Sequence, residues 1–128
     1  MQMDIPSSSP VILTGDWNLH HELWEVLECP ADVHTDRVVD WLTDSDFTLL
    51  NSHNEYTFVS HDDGHSHSVL DLTFVNSVAM AGDTVKSWGV SHELVTTSDH
   101  KAITFTIENS VMPVDNVYGV KYNWKIAD

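Results

Sequence analysis

Basic residues are scarce in this chain, which carries five lysines and arginines against twenty aspartates and glutamates in 128 residues. The formal net charge of −15 opposes approach to a polyphosphate unless cations or a local basic surface intervene. Nucleic acid is therefore a partner that the net charge disfavours. The acidic excess is compatible with binding of divalent cations, although a solvated acidic surface explains it more simply.

Disulfides, membrane spans and several familiar motifs are also missing. Cys29 is the only cysteine and cannot form an internal disulfide, and no apolar run approaches the length of a membrane span. The N-terminus lacks the basic start and apolar core of a secretory signal, so we expect an intracellular location, in nucleus or cytoplasm. No Gly-rich phosphate loop or nucleophile elbow is present. The 41% of hydrophobic residues nevertheless favours one folded domain over disorder.

Strand and helix signals alternate along the centre of the chain, which predicts a single α/β domain at residues 11–107. Residues 1–10, with three serines between two prolines, predict a flexible lead-in, and residues 108–128 predict an extended or peripheral tail. We expect about five or six mostly antiparallel strands with one or two helices on one face. The strands are predicted at residues 11–13, 47–50, 57–60, 69–75, 85–90 and 103–107.

The helix prediction is strongest at residues 36–44, where Thr35 can serve as N-cap and Asp36 suits the positive end of the helix dipole. Residues 77–81 are typical of a short helical crossover. Residues 19–27 predict a short amphipathic turn or helix. Its apolar positions at helical spacing are Leu19, Leu23, Trp24 and Leu27.

Polar residues follow the first predicted strand directly, in the sequence Gly-Asp-Trp-Asn at residues 15–18. Asp16 and Asn18 are two residues apart and can point the same way. Together they could hold a water or a metal ion and hydrogen-bond a phosphate oxygen. The alternative is an Asp-x-Asn turn that only caps a following helix.

A second carboxylate, Asp71, lies inside the most strongly apolar predicted strand. Burying a carboxylate there is costly unless it is paired, so Asp71 either faces solvent or orients a neighbouring imidazole. Ser98, Asp99 and His100 form another polar cluster immediately before the last predicted strand. Two polar clusters and one strand carboxylate are therefore candidates for chemistry.

A histidine-rich loop follows the third predicted strand. His61, His65 and His67 could bind Zn²⁺, Ni²⁺ or Cu²⁺ if the loop, which also contains Asp62 and Asp63, folds back on itself. The alternative is a solvated hairpin loop, because neither cysteine nor a rigid helix fixes the ligand geometry.

Three motifs, read in order, resemble the endonuclease/exonuclease/phosphatase superfamily: GDWN at residues 15–18, VLDLTFV around Asp71, and SDH at residues 98–100. Their order and spacing are similar to the carboxyl-terminal half of its domain. More narrowly, residues 11–107 resemble the endonuclease domain of non-LTR retrotransposon (endonuclease-reverse transcriptase) polyproteins. Residues 122–128 are similar to the segment that links this endonuclease to the reverse transcriptase.

The resemblance implies hydrolysis of phosphodiester bonds with Mg²⁺ or Mn²⁺, and it implies a role for each matching residue. Asp16 would position or deprotonate the attacking water, and Asn18 would hydrogen-bond the phosphate. His100 would stabilise charge on the scissile phosphate, with Asp71 as the carboxylate that orients it. Asp99 would lie beside the metal ion, with Asp16 as a further metal contact.

The resemblance also implies a fold, namely half of a four-layer α/β/β/α sandwich whose mostly antiparallel sheet carries helices on one face. In the family, the first half of the domain adds metal ligands and substrate contacts, and it does not precede Val11 here. We therefore expect phosphodiester hydrolysis by this chain to be impaired. The alternative is a non-catalytic, repurposed half-domain that binds a metal or a protein partner.

The predicted strand at residues 69–75 is apolar on both sides, as expected of a strand buried between two layers. One helical layer can cover only one of its faces. We therefore expect the chain to form a homodimer through the other, uncovered face of the sheet. The alternative is a monomer in which residues 1–10 or 111–124 fold over that face. The two predicted faces consist of Val69 and Val75 on one side and of Leu70, Leu72 and Phe74 on the other.

Overall fold

The computed structural model describes residues 8–62, 64–94 and 97–108 of the chain. The first seven residues of the predicted lead-in, and the predicted tail beyond residue 108, lie outside these described residues. Within them, seven strands and two helices form a mixed α/β structure with antiparallel sheets, which confirms the predicted fold class. In chain order the elements are β1 (Ile12–Asp16), α1 (Val33–Asp44), β2 (Phe47–Leu49), β3 (Phe58–Val59), β4 (His67–Ser68), β5 (Asp71–Asn76), α2 (Ser77–Ala81), β6 (Val85–Ser91) and β7 (Ala102–Ile107).

The central sheet has the strand order β1-β5-β2, and both pairings are antiparallel. Strand β5 takes the middle position, and its residues 72–76 are all buried. Residues directly opposite each other share a face of the sheet, and Phe74 lies opposite Leu13 on β1 and Leu49 on β2. One face of the sheet is therefore apolar from edge to edge.

Helix α1 packs on this apolar face. Trp41 of the helix stacks on Phe47 of β2, with ring centroids 6.0 Å apart. Burial of a large apolar side chain in such a layer contributes roughly 1.5–3 kcal/mol. The core cluster consists of Trp24, Leu42, Val69, Leu72 and Phe74, and Val38, Val39, Trp41 and Phe47 pack against it.

The start of α1 differs from the prediction. The helix begins at Val33 because Asp32, rather than Thr35, is the N-cap. The backbone N–H of Thr35 donates to Asp32 Oδ1 at 2.8 Å. The prediction of Thr35 as N-cap is therefore wrong, since Asp32 has the extended backbone that places its carboxylate over the open N–H groups of the first turn. The helix ends at Asp44, as predicted.

The segment that follows β1 forms turns, so the turn interpretation is correct and the helical one is wrong. The backbone N–H of Trp24 bonds to the carbonyl of His21 at 3.2 Å. Trp24 is buried, and its Nε1–H donates to the carbonyl of Leu19 at 3.1 Å. Leu23, in contrast, is 54% exposed. Leu19 and Trp24 therefore pack in or against the core, and Leu23 does not share that face.

The strand predicted at residues 69–75 begins later in the structure, because β5 starts at Asp71 and Val69 and Leu70 lie between β4 and β5. Strand β4 pairs with β3 and strand β5 with β1 and β2, so the chain changes sheets at Val69 and Leu70. The regular alternation of faces is interrupted there. Val69 consequently packs in the core cluster with Leu72 and Phe74, which corrects the predicted sharing of a face with Val75.

Two hairpins complete the described fold. Strand β3 pairs with β4, and β6 pairs with β7. A single bridge between Phe58 and His100 connects the two hairpins. Within residues 8–62, 64–94 and 97–108, no helix has the length and apolarity needed to cross a membrane.

Candidate functional site

The carboxyl end of β1 meets the start of β5, which brings two carboxylates together. Asp16, the last residue of β1, lies opposite Asp71, the first residue of β5. Opposite residues of an antiparallel pair point to the same face, with Cβ atoms about 4.5–5.5 Å apart. The antiparallel register therefore places both carboxylates side by side.

The segment that carries His100 is held beside this pair by backbone contacts with β3 and its preceding residue. The N–H of Val59 donates to the carbonyl of Asp99 at 3.0 Å, and the N–H of Lys101 donates to the carbonyl of Thr57 at 2.7 Å. The ring of His100 also meets the ring of Phe58 edge to face, at 5.3 Å between centroids. These contacts fix both the main chain and the ring of His100.

Asp16, Asp71 and His100 converge. His100 Nδ1 lies 2.8 Å from Asp71 Oδ2, and His100 Nε2 lies 3.7 Å from Asp16 Oδ2. Because an ionised carboxylate only accepts hydrogen bonds, we assign the proton to Nδ1, which donates to Asp71. The His100 side chain is 34% exposed and that of Asp71 is 15% exposed. The group therefore opens to solvent mainly on the side of Asp16, which is 49% exposed.

The electrostatics of the group favour a protonated imidazole. The hydrogen bond to Asp71 raises the pKa of His100 above its ordinary value of 6.5, and partial burial opposes this rise. The negative charges of Asp71, Asp16 and Asp99 raise the pKa further. The imidazolium form therefore persists to higher pH than in an isolated histidine.

Asn18 shapes the same edge through its backbone. It adopts a positive φ of 48°, a conformation that asparagine tolerates better than most residues. Its N–H donates to Asp16 Oδ1 at 3.0 Å, and its side chain is exposed. The Asp-x-Asn turn therefore exists, but it does not cap a helix, since the next described helix begins only at Val33.

Asp99 and the histidine-rich loop lie beside this group. Asp99 Oδ1 accepts a hydrogen bond from the backbone N–H of His61 at 3.2 Å and lies 3.0 Å from His61 Nδ1. His67 packs its ring on Tyr56, with centroids 4.0 Å apart. The metal contacts predicted for Asp99, His61, His65 and His67 stay predictions. In the described part of the chain, a different group of residues has metal-ligand spacing. That group consists of Asp16, Asp71 and His100, whose candidate ligand atoms all lie within 4.8 Å of one another.

Two residues that the sequence did not single out contact the backbone of Asp71. Thr57 accepts the N–H of Asp71 on its hydroxyl at 3.0 Å. Asn51 donates from its side-chain amide to the carbonyl of Asp71 at 2.9 Å. No local signal identifies either contact, because both residues are ordinary in a strand or a turn and become informative only through the tertiary fold.

A comparison with protein families matches residues 2–104 to the family described as endonuclease-reverse transcriptase. The chain belongs to this family. Among solved structures, it is similar to the endonuclease domain of TRAS1, a telomere-specific non-LTR retrotransposon, with 27% sequence identity and a TM-score of 0.63. That alignment covers 78% of this chain and 44% of the solved chain, so this chain spans less than half of the structure that it matches. A search of curated proteins gave no match.

Membership in the endonuclease-reverse transcriptase family confirms the resemblance that was based on the three ordered motifs. Asp16 and Asn18 of the first motif, Asp71 of the second and His100 of the third all fall within the matched residues 2–104. Three of these residues, Asp16, Asp71 and His100, are brought together by the fold.

Proposed function

We propose that this chain is part of an endonuclease domain that hydrolyses phosphodiester bonds with a divalent metal ion, Mg²⁺ or Mn²⁺. Asp16, Asn18, Asp71, Asp99 and His100 are the residues to which we assign the reaction. The observation that carries the proposal is the continuous contact from Asp71 through His100 to Asp16, with distances of 2.8 and 3.7 Å.

The donor set fits a hard divalent cation. It offers carboxylate oxygens of Asp16 and Asp71, the ligand type that Mg²⁺ and Mn²⁺ prefer. Asp71 Oδ2 is engaged by His100, which leaves Asp71 Oδ1 and the exposed carboxylate of Asp16 for the cation. A bound cation supplies positive charge that polarises the phosphoryl oxygen and the attacking water.

The protein side chains divide the remaining work. Asp71 holds the imidazole of His100 by its Nδ1–H, so that Nε2 faces Asp16. The 3.7 Å between Nε2 and Asp16 Oδ2 exceeds a direct hydrogen bond and suits a water that accepts from Nε2–H and donates to the carboxylate. In our proposal the imidazolium of His100 stabilises negative charge on the phosphate, and Asp16 accepts the proton of the attacking water.

One lysine lies beside the site, where it can contact a nucleic-acid substrate. A cavity of about 280 Å³ lies beside His100, and its lining includes Lys101, His61 and His92. Lys101 Nζ lies 3.2 Å from His92 Nδ1. We propose that the phosphate backbone approaches here, against the net charge of −15, and that binding weakens steeply with added salt.

The activity of these 128 residues on their own is a separate question, because they span 44% of the solved chain that they match. The rest of such a domain would add substrate and metal contacts, so we propose that hydrolysis by this chain alone is impaired. The alternative function is a repurposed, non-catalytic domain that binds a metal or a protein partner. The acidic net charge of −15 favours this alternative.

Nicking of supercoiled plasmid DNA in Mg²⁺ or Mn²⁺ separates the two functions. The site variants are Asp16→Ala and His100→Ala, and the matched controls are Asp40→Ala and His34→Ala, which replace exposed residues of α1. Nicking that both site variants lose and both controls keep supports the endonuclease. A wild-type chain that binds Mn²⁺ by calorimetry but nicks no DNA in either metal supports the non-catalytic alternative.

A further inference from the structure

The backbone of Asp71 points away from β1. In an antiparallel strand, the N–H and C=O of one residue point to the same neighbouring strand, and successive residues alternate. The N–H of Leu50 donates to the carbonyl of Thr73, so Thr73 faces the β2 side. Asp71 lies two residues earlier in β5, so its N–H and carbonyl face the same side, away from β1. Strand β2 pairs on that side but ends at Leu49, opposite Phe74. On that side of β5, none of the described strands continues to the position opposite Asp71.

Two side chains occupy the place of the missing strand. The hydroxyl of Thr57 accepts from the N–H of Asp71 at 3.0 Å and from the N–H of Leu70 at 2.9 Å. The amide of Asn51 donates to the carbonyl of Asp71 and accepts from the N–H of Thr73, both at 2.9 Å. Thr57 is 0% exposed, so water does not compete for these bonds.

Thr57 also contacts the segment that carries His100. Its carbonyl accepts from the N–H of Lys101 at 2.7 Å, and the next residue, Phe58, forms the bridge with His100. Its own N–H donates to the carbonyl of Ser68 at 3.0 Å. One buried residue therefore joins β4, the start of β5 and the His100 segment.

We propose that Thr57, together with Asn51, is a positioning residue for the Asp71–His100 pair. The side chain of Thr57 holds the main chain of Asp71, while its own carbonyl holds the main chain of Lys101, next to His100, so the carboxylate meets Nδ1 at 2.8 Å. A hydroxyl suits this task because one oxygen has two lone pairs for two N–H groups. The effect of Thr57 on catalysis rests on the proposed function, whereas its effect on the Asp71–His100 contact does not.

The test compares variants that differ in one hydroxyl. Thr57→Val removes the acceptor at nearly constant volume, and Thr57→Ser keeps it. Thr73→Val is the matched control, because Thr73 is also fully buried and its hydroxyl bonds to that of Thr14 at 2.8 Å. The first measurement is the proton NMR signal of His100 Nδ1–H, which is shifted far downfield while the proton is shared with a carboxylate. The second is the kcat and KM of DNA nicking.

We expect Thr57→Val to shift the Nδ1–H signal upfield or lose it to solvent exchange, and to lower kcat by about 10- to 100-fold with KM nearly unchanged. Thr57→Ser and Thr73→Val keep the signal and the kcat of the wild type. If Thr57→Val fails to fold, Asn51→Asp replaces it, since this change turns the donor facing the Asp71 carbonyl into an acceptor and predicts the same loss.

A Thr57→Val protein with an unchanged Nδ1–H signal overturns the proposal. A Thr73→Val protein that loses the signal as much as Thr57→Val does also overturns it, because that result reports general loosening of β5. If a folded Asn51→Asp protein keeps the Nδ1–H signal, the positioning role proposed for Asn51 is overturned. A wild type that cleaves no DNA contradicts the proposed function instead, and the NMR comparison still decides the positioning role.

Discussion

Asp16 and Asp71 lie directly opposite each other on adjacent antiparallel strands, at the carboxyl end of β1 and the start of β5. His100 contacts both carboxylates, with Nδ1 toward Asp71 and Nε2 toward Asp16. Residues far apart in the sequence thus form one group with metal-ligand spacing. The register between β1 and β5 is the structural reason for the site, because a shift of one residue would turn Asp71 to the other face.

The first prediction concerns the titration of His100. The hydrogen bond to Asp71 is the main cause of its raised pKa, so Asp71→Asn should move the pKa of His100 back toward 6.5. Titration of the imidazole by NMR measures this change directly. An unchanged pKa in a folded Asp71→Asn protein would show that this contact is not the cause.

The same contact predicts a pH dependence of stability. A pKa raised by folding means that the folded state binds the proton more tightly, so the stabilisation is complete below pH 6.5 and is lost as pH rises through the folded value. The melting temperature of the wild type should therefore decline over this interval. The decline should be smaller in Asp71→Asn, and equal declines in both proteins would contradict the assignment to His100.

The second prediction concerns the core. Leu72 is 0% exposed and belongs to the cluster under α1, so Leu72→Ala should lower the free energy of unfolding by about 2–5 kcal/mol. Leu23→Ala, at a side chain that is 54% exposed, should change it by less than about 0.5 kcal/mol. Aspartate at Leu72 or Phe74 should prevent folding or solubility. Urea titrations measure each difference, and equal losses in Leu72→Ala and Leu23→Ala would contradict the packing described.

The third prediction concerns self-association through the face of the central sheet opposite α1. Thr14 and Thr48 are exposed on this face, next to the buried Val75. We predict that two copies pair through it, which light scattering would record as a mass twice the 14.4 kDa of the chain. Thr48→Arg should restore the single-chain mass, whereas Asp40→Arg on the exposed side of α1 should not. A wild-type mass of 14.4 kDa contradicts the homodimer.

The fourth prediction concerns the position of the metal. Paramagnetic Mn²⁺, added below one equivalent, should first broaden the NMR signals of Asp16, Asp71 and His100. A second site in the histidine-rich loop would instead broaden His61 and His67 at low Mn²⁺ or Ni²⁺ concentration. Broadening of the loop with sharp signals for Asp16 and Asp71 would contradict the metal site proposed here.

Local sequence patterns predicted the elements better than their boundaries and contacts. The end of α1 at Asp44 and helix α2 follow from periodicity and short polar breaks. The N-cap did not follow, because Asp32 and Thr35 are both capping residues and only the backbone conformation decides between them. The face of Val69 was also mispredicted, since an alternating pattern does not reveal where a chain leaves one sheet for another.

For the candidate site, too, the sequence indicated the residues better than the contacts between them. The contact between Asp71 and His100 was expected from the family resemblance, because no spacing rule relates residues on strands that pair only in the fold. The hydroxyl of Thr57 had no sequence signal, since its importance arises from β2 ending at Leu49 and leaving the backbone of Asp71 to be satisfied by side chains.

Plasmid nicking in Mn²⁺ by the wild type and by His100→Ala, at equal protein concentration, tests the central claim most directly. We predict slow, EDTA-sensitive nicking by the wild type and a rate at least about 100-fold lower for His100→Ala, because the imidazolium would stabilise charge that develops on the phosphate. The exposed control His34→Ala should nick at the wild-type rate. Equal nicking by the wild type and by His100→Ala would contradict the account.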